Sequence, residues 1–205
     1  DPNRVDVSGS VPDAVYARQI GATENDSVVA YLVPSADTNG VYDLYIAGVG
    51  GVKAPVNSNY LFGEEVSYYG PKVTNYKTID LTALDTTGVT SMKGWFAGNE
   101  NLTGGIVFGD KFDTSQVIDM SEMFHYCKSL SSLDLSKIDT SSVKTMEKMF
   151  CKSKIDDLIL PDGFVGPTTT DTSSMFNDAM VPAIDASSWH MENVTGTYGM
   201  FEGCS

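Results

Sequence analysis

The side chains of this chain with chemistry to offer are two histidines, three cysteines and many carboxylates. His125 and His190 sit in no metal-binding or hydrolytic pattern: H-E-x-x-H, G-x-S-x-G and a local Cys–His signature are all absent. Cys127, Cys151 and Cys204 are odd in number and form no C-x-x-C pair, so neither a disulfide framework nor a zinc or thioredoxin site follows. Cys127 and Cys204 each fall three residues after a phenylalanine, which reads as a small buried thiol in a repeated slot. A bridge between them would span about 15 Å at one strand spacing per unit, beyond a disulfide's reach. Cys127 with Cys151 crosses one unit at a two-residue offset and is the lesser alternative. Gly48-Val49-Gly50-Gly51 and Gly104-Gly105 lack the partners of a phosphate-binding loop and read as turns. Nothing here makes an enzyme, and no cofactor or metal is expected; a pair of carboxylates in a glycosidase arrangement, the basis for a carbohydrate-active enzyme as second alternative, is not something a sequence can measure.

The carboxylates lead further, because they recur. Asp85, Asp113 and Asp139 hold one slot of a pattern, D-T-S-x-V-x-x-M-x-x-M-F, carried by Asp113–Phe124 and again by Asp139–Phe150. Capping of a helix start is the expected role of this Asp; calcium is the minor one, since no loop with a sixth-position Gly and twelfth-position Glu occurs. Each unit ends on an aromatic residue, Phe96, Phe124, Phe150, Phe176 and Phe201, at steps of 28, 26, 26 and 25 residues. A period of this size marks a stacked-repeat architecture.

Two elements must position these residues. Val143, Met146, Met149 and Phe150 lie at i, i+3, i+6 and i+7, which predicts one apolar stripe on a short helix. Leu130-x-x-Leu133-x-Leu135 predicts a short strand with apolar residues turned inward. The expected fold is therefore α/β: a leucine-rich-repeat-type β/α solenoid, with a parallel sheet and short helices, over about residues 75–205. Residues 1–74 do not repeat. Val28–Val33 and Val41–Ile46, joined by a turn containing Asn39-Gly40, predict an N-terminal β-hairpin cap, with Tyr60, Phe62, Tyr68, Tyr69 and Tyr76 covering the end of the stack. Rung by rung, the outward centre of the strand face reads Asp80, Val107, Asp134, Ile159, Asp185. That small, acidic, aromatic-free face is the candidate binding surface, better suited to a basic protein patch than to a sugar.

The signature from Asp113 through Ser136 resembles the BspA-like leucine-rich repeats, and more closely the bacterial surface protein 26-residue repeat. The resemblance covers about residues 75–205. It implies a secreted or cell-surface-anchored bacterial protein with a part in adhesion or host interaction, and it brings no catalytic residues. The leading expectation is thus a non-enzymatic interaction module binding a protein or glycoprotein partner, possibly host-derived. A structural stalk or spacer in a larger surface protein is the alternative.

Composition narrows the partners. The chain carries 13 basic and 27 acidic residues, a net charge of −14, which repels nucleic acid and anionic lipid surfaces. No run of about 18 apolar residues offers a membrane span. A monomer is expected. Asp1-Pro2 at one end, and Cys204-Ser205 just after a motif at the other, suggest a piece of a longer protein.

Overall fold

A computed structural model of the chain describes residues 16–19, 29–34, 42–47, 52–63 and 76–205. β1 (Tyr16–Gln19), β2 (Val29–Pro34) and β3 (Tyr42–Ala47) pair antiparallel in sequence, β2 against β3 from Val29↔Ala47 to Pro34↔Tyr42. The hairpin read from the sequence is present; its Asn39-Gly40 turn, with Tyr68 and Tyr69, lies outside the described residues. β3 continues in parallel with β5 (Tyr76–Leu81), and β5 with β7 (Gly105–Phe108), giving the order β1-β2-β3-β5-β7. Two small parallel sheets complete the set: β4 (Val52–Lys53) with β6 (Leu84–Asp85), and β8 (Leu133–Asp134) with β9 (Leu158–Ile159).

The helices expected over the M-x-x-M-F segments are not there; no helix occurs among the described residues. Each segment is a succession of tight turns. Met123, His125 and Cys127 donate their amides to the carbonyls of Met120, Glu122 and Phe124, three residues back. The amides between them do something a helix forbids. Met120, Glu122, Phe124 and Tyr126 donate to Thr145, Glu147, Met149 and Cys151 of the next unit. Half of the amides close turns, and half tie the units together.

This alternation demands left-handed backbone at two slots per unit. Glu122, Lys148 and Ser174 occupy the first with φ of 59°, 55° and 56°; Tyr126, Lys152 and Asp178 occupy the second with 60°, 56° and 52°. Gly94, Gly98, Gly199 and Gly203 fill the same slots in the flanking units, also at positive φ. Two left-handed residues cost about 2–4 kcal/mol. Four inter-unit hydrogen bonds at about 1 kcal/mol each, with a buried ring contact of similar size, offset that cost. A helix avoids the strain, but its amides are spent internally and leave its neighbours unjoined.

The D-T-S triplet belongs to the same device. Asp113 and Asp139 accept the amides of Ser115 and Ser141, each at 2.9 Å, closing an Asx turn rather than capping a helix. The Thr114 hydroxyl donates to the Asp139 carbonyl and accepts the Asp139 amide, both at 2.9 Å, so the buried Thr pins one unit to the next.

A continuous chain of parallel bridges, Asn57↔Ser91↔Asp119↔Thr145↔Asp171↔Gly196, runs through six successive segments. Beside it runs a column of rings. Phe96, Phe124, Phe150, Phe176 and Phe201 stack with centroid separations of 5.3, 5.5, 5.1 and 5.5 Å and interplanar angles of 14° or less. Phe62 adds a sixth ring, 5.9 Å from Phe96. Residues 52–63 make the same bonds to their neighbour as the later units do: Ser58, Tyr60 and Phe62 donate to Ser91, Lys93 and Trp95. Met92, Met120, Met123, Met146, Met149, Met175 and Met200 line the column and are buried, whereas Met180 and Met191 are exposed. Thr169 and Thr172, which replace apolar residues in the fourth unit, are also buried; their hydroxyls donate to the carbonyls of Val143 and Gly196.

Candidate functional site

The outward strand face begins with a register fixed by backbone pairing. Tyr45 faces Asp80, Asp80 faces Val107, and Asp134 faces Ile159. The side chains of the β1–β3 hairpin are outside the description. Val107 and Ile159 are each 45% exposed, a real apolar presence on an otherwise polar face. The carboxylates are less available than their exposure suggests. Asp80, Asp134 and Asp185 each accept the amide two residues on, from Thr82, Ser136 and Ser187, at 2.9 Å. The Ser136 hydroxyl and amide hold the Asp134 carboxyl below the usual range, and the Ser187 amide and hydroxyl do the same for Asp185.

Between Val107 and Asp134 the face opens. β7 and β8 are not hydrogen-bonded neighbours, although β5–β7 and β8–β9 are. The cause is in the chain. The unit from Phe96 to Phe124 is 28 residues long, and Leu102 is separated from Ile106 by one residue more than Leu130 from Leu133. Gly104 and Gly105 absorb the excess: a Cβ on Gly104 would meet the Thr78 hydroxyl, and Gly105 has φ of 76°. The parted strands leave a groove of about 580 Å³, within the range of ligand sites. Val107, Phe108 and Phe112 stand on one side; Ser132, Asp134 and Lys137 stand on the other. Its two ends are pinned. The Ser131 hydroxyl donates to the Thr103 carbonyl at 3.1 Å, and Thr114 bonds Asp139 as described above. A second, smaller opening of about 200 Å³ lies between Leu158–Asp162 and Ala183–Ser188, and includes Asp185.

Of the five residues picked from the sequence, the structure brings Val107 and Asp134 to one groove, sets Asp80 and Ile159 beside them, and leaves Asp185 at a separate opening. Phe108, Phe112 and Lys137 are groove residues that sequence reasoning did not select. The face read from the sequence as small, acidic and aromatic-free therefore opens on a groove lined by two rings and an ammonium. The 28-residue step was the available signal.

The turn side carries a different cluster. Glu122, in a left-handed position, accepts the Tyr60 hydroxyl at 3.1 Å and pairs with Lys93 Nζ at 3.3 Å. The His125 ring beside it, with Lys93 and Tyr60, holds its carboxyl down at about 2 against the opposing effect of burial. His125 Nδ1 is 3.9 Å from Glu122, too far for a hydrogen bond, and this buried atom has no other partner. The histidine is thus an electrostatic neighbour in a buried turn. Cys127 and Cys151 are buried free thiols and Cys204 is an exposed one. Burial raises the Cys127 pKa far out of the reactive range and pushes Cys151 up to about 11, so neither is a nucleophile at neutral pH. Asp85, Asp113 and Asp139 each spend an oxygen on the amide two residues on, and among the described residues no cluster with metal-ligand composition forms. No helix of the described residues is long and apolar enough to cross a membrane.

Short parallel strands joined by amide-donating turns, with an opened outward face, define the class of protein. The chain belongs to the family described as Mycoplasma protein of unknown function, DUF285, which matches residues 65–157 and 165–205. The resemblance to the BspA-like leucine-rich repeats is corrected by this match: the family is a different one. What carried the resemblance was the signature from Asp113 through Ser136, which includes the Leu-x-x-Leu-x-Leu strand, together with the 26-residue spacing. No curated protein and no solved structure matches the chain.

Proposed function

We propose that the chain is a non-enzymatic interaction module of a secreted or surface-anchored bacterial protein, built as a helix-free solenoid of 25–28-residue units. Its outward strand face, centred on the β7–β8 groove, binds an extended segment of a protein or glycoprotein partner. The observation that carries this reading is the groove itself, where two strands that would ordinarily pair stand unpaired. Strand edges left open present backbone donors and acceptors, and an extended polypeptide is the ligand class that satisfies such groups along a line. Apolar contact from Val107 and Phe108, with charges of both signs from Asp134 and Lys137, gives the groove chemical selectivity beyond backbone pairing.

Burial raises the pKa of all three thiols, so none of Cys127, Cys151 and Cys204 is an activated cysteine nucleophile. The test is capture of partner from candidate target-cell surface protein by the wild-type chain, Val107→Arg and Asp134→Lys, at matched melting temperature. Loss of captured partner with both variants, and not with Lys148→Glu on the turn side, is the expected result. Unchanged capture by both variants removes this face from consideration.

A further inference from the structure

The groove between β7 and β8 differs from one end to the other. At Gly104 and Gly105 it offers no side chain. Its other end carries three charges: Asp110 just after β7, Asp134 on β8 and Lys137 just beyond it. Two carboxylates against one ammonium leave that end short of one positive charge, in a chain whose net charge is −14. Among the described residues Lys137 makes no ion pair, so neither carboxylate is neutralised by contact. The wall beside these charges is aromatic. Phe108 and Phe112 line the groove with ring centroids 4.6 Å apart, and both are only partly buried. Core rings hold this pair in place: Phe108 lies 6.5 Å from Phe96, and Phe112 meets Trp95 edge-on at 5.7 Å. Val107, 45% exposed, adds aliphatic surface.

We infer, given that the groove binds an extended segment as proposed above, that the side chain this end selects from the segment is an arginine. A guanidinium brings the missing positive charge, a plane that stacks on a ring face, and paired N–H donors for a carboxylate. Its methylene stem covers Val107. A lysine brings charge and stem, but its ammonium is strongly hydrated and has no flat face. An acidic side chain finds Lys137 opposed by two carboxylates and by the field of the whole chain. A neutral polar side chain leaves the charge of the groove uncompensated.

The experiment pans the whole chain against a library of random nonapeptides and keeps those whose binding is lost with Val107→Arg, which places them in the groove. The kept peptides should share an arginine. The tightest is then remade with citrulline, and with lysine, in place of that arginine; citrulline keeps the plane and the donors without the charge. Affinity should fall at least about tenfold with citrulline and at least about threefold with lysine. Asp134→Asn should weaken the arginine peptide about tenfold and leave the citrulline peptide unchanged. Asparagine keeps the Oδ1 that accepts the Ser136 amide, so this variant retains the local turn, checked by an unchanged melting temperature. No groove-bound peptide at all removes the binding role, and the arginine with it. Groove-bound peptides that lack arginine, or that keep full affinity with citrulline or lysine in its place, overturn the choice of arginine and leave the binding role standing.

Discussion

Truncating Phe150 should cost far more than truncating Phe201, although both hold the same place in the repeat. Phe150 is fully buried and lies between two rings, 5.5 Å from Phe124 and 5.1 Å from Phe176, with Phe164 at 6.1 Å. Phe150→Ala removes all of those contacts and leaves a void between rigid turns that are hydrogen-bonded on both sides, so the site cannot collapse. The expected loss is about 4 kcal/mol. Phe201 has one stacked neighbour and is half exposed, so its truncation forfeits one ring contact and half a side chain's burial, about 1 kcal/mol. Urea denaturation followed by tyrosine and tryptophan fluorescence reads both, with Trp95 and Trp189 as reporters. A difference of about 3 kcal/mol between the variants fits the column. Equal losses, or a Phe150→Ala variant within about 1 kcal/mol of wild type, would mean that the rings are not consecutive members of one stack.

Further outcomes follow from the same geometry. Met149→Asp places a carboxylate in a fully buried slot and should abolish the cooperative fold, read as loss of the thermal transition. Gly94→Ala should destabilise by about 2–4 kcal/mol in the same denaturation assay. Gly94 sits at φ of 63°, and an added Cβ would run into the Tyr60 ring, which crosses it to reach Glu122. The Glu122 carboxyl is held at about 2 in the folded chain against 4.5 for an unperturbed one, so its contribution is complete above about pH 4.5 and is lost as pH falls through about 2. Wild type should therefore lose stability relative to Glu122→Gln over that window, on the order of 1 kcal/mol after solvent screening, measured as the difference between their urea midpoints.

The strand half was open to sequence reading at Asp80, Val107, Asp134 and Ile159, where inward and outward residues alternate along paired strands, but the strand expected around Val181, Ile184 and Ala186 is absent and Asp185 lies in none. The turn half misled because its apolar spacing imitates a helix. Val117, Met120, Met123 and Phe124 fall at i, i+3, i+6 and i+7 in either conformation, since turns three residues long return the same side of the chain inward. The discriminating signal was local. Gly94 and Gly98 in one unit, with Gly199 and Gly203 in another, mark at four-residue intervals the slots where φ is positive. The Asx turn at Asp113 and the Thr114 bridge to the next unit were likewise hidden, because D-T-S is also a respectable helix cap. The groove was the least legible feature. It depends on how far two strands part, and only the 28-residue step and the Gly104-Gly105 pair announced it.

Couplings across hydrogen bonds, from amide nitrogen to carbonyl carbon, test the organising claim most directly. Isotope-labelled chain should give correlations from Phe124 to Met149 and from Phe150 to Met175, linking residues 25 positions apart. Correlations from Met149 to Thr145 and from Phe150 to Met146, the four-residue steps of a helix, would contradict the account.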